Sequence, residues 1–206
     1  MLSFFKRKDN PKTSEEKFWN WFVENKAKFE KFMDSDHTDY SIYNKLTSEI
    51  QKYHAELFPE LTKTEDDKYV LIITPDGIKA GVEPTKKLAA ACPVIENWVI
   101  VKFRQPSDYI TLNFKGLEYP ATDIEVLPQI DHEKEVVDID VFIRNMNKDE
   151  SLYQRLAFLY LYHILGEFNS ITKVGYIDFH HLDENKKVEN SISLIELRNL
   201  IAENLY

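Results

Sequence analysis

One cysteine, five glycines and no long apolar run set the first limits on this 206-residue chain. With Cys92 alone, no disulfide can form within the chain, and a reducing compartment is its simplest home. So few glycines leave little room for a long glycine-rich cofactor loop, and no cofactor is expected. The longest apolar-rich segment, Leu156–Leu165, is interrupted by His163. It falls well short of the roughly 18 residues that a membrane span needs. No secretory signal is legible, because the basic residues follow the first apolar ones and that apolar run is short. A soluble, cytoplasmic protein is expected.

Positive charge is also scarce. The 26 Lys and Arg face 35 Asp and Glu, for a net charge of −9. Such a surface repels a phosphate backbone, so a general nucleic-acid binder is not expected. The concentrated basic segment is Lys6-Arg7-Lys8. With Met1–Phe5 before it, residues 1–12 read as a flexible tail or as a weak foot on a membrane surface.

Aromatic residues are plentiful, with 13 Phe and 11 Tyr. Thr13-Ser-Glu-Glu16 has the pattern of a capping box. A helix should follow to about Met33, with Phe18, Phe22, Phe29 and Phe32 on its buried stripe. Trp19 and Trp21 widen that stripe, and one of them is expected to face a protein partner. A second helix should run from Ser41 to about Phe58, its apolar side formed by Ile42, Leu46, Ile50, Tyr53 and Leu57. Pro59 should end it. The two helices make an N-terminal hairpin.

Tyr69–Thr74 is apolar on both faces and belongs at the centre of a sheet, with a possible strand over Glu60–Asp66 beside it. Pro75-Asp76-Gly77 signals a turn. A short helix between Pro84 and Cys92 would carry the chain across to Trp98–Arg104, expected to lie parallel to Tyr69–Thr74 as a central strand. Further strands are expected over Tyr109–Phe114, Ile124–Leu127, Val136–Ile143 and Lys173–His181. Pro128 assigns Ile124–Leu127 to an edge. Helices are expected from Ser151 to about Gly166 and over Leu194–Asn204. The first of these is apolar nearly all round and should be buried against several partners. Sequential strands with helices at the ends predict an α+β fold. The expected form is a single layered domain over 13–206, with a mixed, mostly antiparallel sheet.

Phe18-Trp-Asn-Trp-Phe22, Leu71-Ile-Ile-Thr-Pro-Asp-Gly77, Cys92-Pro93 before Trp98–Arg104, and Leu165-Gly-Glu167 with Val174–Phe179 resemble a family of uncharacterised bacterial proteins. The likeness runs from about residue 15 onward. It implies a bacterial cytoplasmic protein and transfers no catalytic residue.

Two functional expectations remain open. One is a non-catalytic module that binds another protein, with Trp19 or Trp21 at the contact. The other is a metal-dependent hydrolase. His163 and Glu167, four apart, would share a helix face, and Asp178 and His180 would share a strand face. Together these four would hold a metal or activate a water. Asp138 and Asp140 share another strand face, either as a carboxylate pair or as the solvated side of an amphipathic strand. His180 and His181 should point to opposite faces. Cys92, near a helix C-terminus, should have a raised thiol pKa and little nucleophilicity.

Overall fold

The structure is a computed structural model that describes residues 12–36, 38–108, 112–114, 117–144 and 150–206. Residues 1–11 of the expected tail, with both of its readings, lie outside the described residues. So do His37 and the first half of the strand expected at Tyr109–Phe114. The fold is α+β. The chain forms two compact units, one from Met1–Ile73 and Glu83–Lys102, the other from Thr74–Val82 and Phe103–Tyr206.

The first unit is organised by aromatic rings. Helix α1 (Ser14–Met33) opens on the expected capping box, in which Thr13 and Glu16 each accept the other's backbone N–H. It buries Phe18, Trp19, Phe22, Asn25, Phe29 and Phe32. Helix α2 (Ser41–Tyr53) packs along it and completes the hairpin, with Leu46 and Ile50 fully buried. α2 stops five residues short of Phe58, and His54 is already extended. Pro59 therefore does not end the helix; it lies buried in strand β1 (Phe58–Lys63). Pairing of that strand with its neighbour overrides the helix propensity of Ala55-Glu56-Leu57.

Strands β1, β2 (Tyr69–Thr74) and β3 (Trp98–Lys102) form a sheet in that order, so β2 is central as its composition demands. β2 and β3 are parallel, from Tyr69 opposite Trp98 to Ile73 opposite Lys102, and α3 (Val82–Ala90) lies in the connection. β3 is an edge strand, not the central one expected. Trp98 is buried all the same, because Phe22 meets its ring edge-on at 5.0 Å and Tyr69 stacks on it at 5.3 Å. Its Nε1–H donates to Glu30.

In the second unit, β4 (Leu112–Phe114) and β5 (Leu117–Tyr119) form an antiparallel ribbon. Strands β6 (Ile124–Asp131), β7 (Val136–Arg144) and β8 (Val174–Leu182) form a mixed sheet in that order. β6 and β7 are antiparallel, whereas β7 and β8 are parallel. β6 is the expected edge strand but runs on through Pro128, whose missing donor is tolerated at an edge. Val137, Ile139, Val141 and Ile143 all point into the core, as the alternation predicts. Helices α4 (Glu150–Leu165), α5 (Glu167–Thr172) and α6 (Leu194–Asn204) complete the unit, and Leu197 and Ile201 of α6 are fully buried.

Candidate functional site

Glu167 sits where α4 gives way to α5. Gly166 makes the break with φ +79°, and a Cβ there would lie 2.9 Å from Pro106 Cδ. The glycine interrupts the helix, so His163 and Glu167 do not share a face in the way an unbroken helix would place them. The Glu167 side chain is 0% exposed. Its Oε1 accepts the Thr74 hydroxyl at 2.6 Å and the Gly77 N–H at 3.0 Å. Its Oε2 accepts the Arg104 N–H at 3.1 Å. The Arg104 guanidinium lies 3.8 Å away and pairs with Asp76 at 2.8 Å.

The turn beneath this carboxylate needs both of its central residues in the left-handed region, Asp76 at φ 49° and Gly77 at φ 83°. A Cβ at position 77 would approach the Tyr162 hydroxyl to 2.6 Å. Burial, with the negative charges of Glu167 and Asp76, pushes the Tyr162 phenol pKa up. Phe103, also left-handed at φ 64°, is buried against Phe168 immediately before Arg104. Glu167 thus fastens Thr74–Gly77 and the start of the Phe103–Ser107 segment to the α4–α5 junction. A general base needs an accessible lone pair. This carboxylate is enclosed, and both of its oxygens already accept hydrogen bonds.

The expected set of four residues therefore does not assemble. His163 is exposed on α4, and its carbonyl accepts the Ser107 N–H. Glu167 is spent on the turn. Asp178 and His180 do come together, and their third member is Asp140. Asp140, Asp178 and His180 each offer a ligand atom, and these atoms lie within 4.8 Å of one another. The parallel register sets Asp140 beside Asp178 and Phe142 beside His180. His180 Nε2 is 2.9 Å from Asp140 Oδ1 and 3.9 Å from Asp178 Oδ2. The imidazole stacks on Phe142 at 4.8 Å, and Asp178 Oδ1 accepts the Phe179 N–H. Residue spacing identified the face that Asp178 shares with His180. It could not identify Asp140, because that requires the register of β7 on β8, and the sequence joins Asp140 to Asp138 instead.

Asp138 has a different task. The register slips between Val137 and Ile139, and Asp138 Oδ1 accepts the Tyr176 N–H there at 2.6 Å. His181 turns away from His180, as expected, and meets Asp183. Burial pushes the Cys92 thiol up to about 11, so it is a poor nucleophile at neutral pH.

The tryptophan pair is also resolved. Trp19 is 2% exposed and donates its Nε1–H to the Leu88 carbonyl. It is a core residue, not a partner contact. Trp21 is half-buried, with its ring edge-on to Phe29. The stripe is wide enough for both because α1 is covered by α2 on one side and the region of Leu88 and Trp98 on another. Single exposed apolar side chains occur on α1 (Val23) and α6 (Ile195), but an adjacent exposed pair lies on α4. There Ser151, Arg155, Phe158, Leu159 and His163 form one solvent-facing stripe, with Phe158 40% and Leu159 46% exposed. As expected, α4 is buried against several partners, namely α5, α6 and β7, and this stripe is the side it leaves to solvent.

A cavity of about 440 Å³ opens beside β6, lined by Ile124, Glu125, Ile164, Ser191, Ile192 and Leu194 among others. Burial would raise the Glu125 pKa, but hydrogen bonds from Ser191 and Val188 and the Arg144 charge hold it below the usual range. No helix among the described residues is long and apolar enough to cross a membrane. Comparison with protein-family models, curated proteins and solved structures finds no match to this chain.

Proposed function

We propose that this chain is a non-catalytic protein-binding module of the bacterial cytoplasm that engages its partner through the exposed face of α4. The observation that carries this reading is Phe158 and Leu159, both well exposed in mid-helix between Arg155 and His163. Two large apolar side chains on a polar-flanked helical stripe suit an apolar groove on another protein. Aromatic and arginine side chains are the groups that most often anchor such contacts. The competing reading, a hydrolase built on His163, Glu167, Asp178 and His180, would need Glu167 to leave its enclosed bonds.

The test is a photo-crosslinking amino acid placed at Leu159 in the producing cells. One predominant crosslinked partner is expected. It should disappear with Phe158→Asp and persist with Trp21→Ala. A crosslinking pattern unchanged by Phe158→Asp, with the variant still folded by circular dichroism, would contradict the proposal.

A further inference from the structure

The strongest cluster outside the α4 face is Asp140–Asp178–His180, and it is independent of the docking proposal. We infer that these three side chains form a surface site for a divalent transition-metal ion of the zinc class. The donors are one imidazole nitrogen and two carboxylates, a mixed set that suits zinc, nickel or cobalt better than magnesium or calcium. Three protein ligands leave the remaining coordination positions to water, as in open metal sites.

The spacing fits shared coordination. Two ligands about 2.1 Å from one ion lie about 3.0 Å apart at a right angle and further apart at wider angles. The His180–Asp178 separation of 3.9 Å falls in that range, and the His180–Asp140 separation of 2.9 Å, now a hydrogen bond, sits just below its lower end and needs to open only slightly. The donors are also held in place from outside the set. Phe142 stacks on the imidazole, and the Phe179 N–H fixes one oxygen of Asp178 while the other faces His180.

Charge favours the same occupant. Among the described residues, the cationic group within ion-pair distance of either carboxylate is His180 itself. A neutral imidazole leaves two adjacent negative charges uncompensated, and a divalent ion balances them. Asp138 is not part of the set, since its Oδ1 holds the Tyr176 N–H.

The experiment uses the full chain, freed of any histidine tag and stripped with chelator. It is titrated calorimetrically with zinc chloride and, in parallel, with magnesium chloride. One zinc per chain and no measurable magnesium binding are expected. Asp140→Asn and Asp178→Asn should each weaken zinc by about 10- to 100-fold, and His180→Ala by about 100-fold. His181→Ala should bind as the parent does, because its ring meets Asp183. The visible absorption of a cobalt-loaded sample should lose its intensity in His180→Ala and keep it in His181→Ala. The shape-conserving Asp140→Asn keeps the test decisive should His180→Ala fold poorly. Absence of zinc binding by the parent, or parental affinity in Asp140→Asn and His180→Ala, would overturn the site.

Discussion

Glu167 and the Asp140–Asp178 pair are carboxylates of one compact unit that meet opposite surroundings. Glu167 is enclosed, and both of its oxygens accept hydrogen bonds from Thr74, Gly77 and Arg104. Asp140 and Asp178 stand on an outer sheet face and share one histidine. A buried carboxylate is tolerable only when its charge and lone pairs are met, and removing it strands every donor it served. An exposed pair is solvated, contributes little to stability and keeps acceptor capacity for a ligand. Equal residue types thus divide between holding the fold and serving a site, and burial decides which.

The largest effect is expected where that division is broken from the inside. Glu167→Ala should cost about 3–5 kcal/mol, because it leaves the Thr74 hydroxyl and the N–H groups of Gly77 and Arg104 without their acceptor. Urea unfolding followed by circular dichroism measures it. A loss below 1 kcal/mol would place the carboxylate among the dispensable ones. Next comes the turn that Glu167 holds. Gly77→Ala should cost about 1–3 kcal/mol, from the positive φ and from the Tyr162 hydroxyl in the path of the new Cβ.

The first unit offers the same contrast in aromatic form. Trp19→Phe should cost about 1–3 kcal/mol, since it strands the Leu88 carbonyl and opens a buried space. Trp21→Phe, at a half-buried position, should cost less than about 1 kcal/mol. Equal losses would remove the distinction between them.

Cys92 supplies a pH test. Its folded thiol is pushed up to about 11 by burial, above the roughly 8.5 of a free thiol. The folded state therefore holds this proton more tightly. Its stabilisation is complete below the free-thiol pKa and is lost as pH rises through the folded value. Iodoacetamide should label the native protein at pH 8 far more slowly than the urea-unfolded chain. The native rate should keep climbing beyond pH 9, and a plateau at pH 9 would contradict it.

Local patterns in the sequence disclosed much of the framework. The Thr13 capping box, the alternation of Val137–Ile143, the central place of Tyr69–Thr74 and the bounds of α6 all rest on residues within one turn or one strand of each other. What depends on distant partners was not legible. Helix α2 yields at Tyr53 because β1 claims Phe58 and Pro59, and β3 is an edge because no strand among the described residues joins its far side. The same limit applies to the sites. Asp178 and His180 can be paired by spacing, but Asp140 joins them only through the parallel register. Glu167 looks like the second half of a helical pair until Gly166 breaks the helix and Thr74, 93 positions away, bonds to it.

The most direct measurement is a paired unfolding experiment on Glu167→Gln and His180→Ala, each with and without zinc. Glu167→Gln should lower the metal-free midpoint and leave the zinc-dependent shift intact. His180→Ala should stay within about 0.5 kcal/mol of the parent without metal and lose the zinc-dependent shift. A His180→Ala protein as destabilised as Glu167→Gln, or one that zinc still stabilises as it does the parent, would contradict the division of labour between the two carboxylate centres.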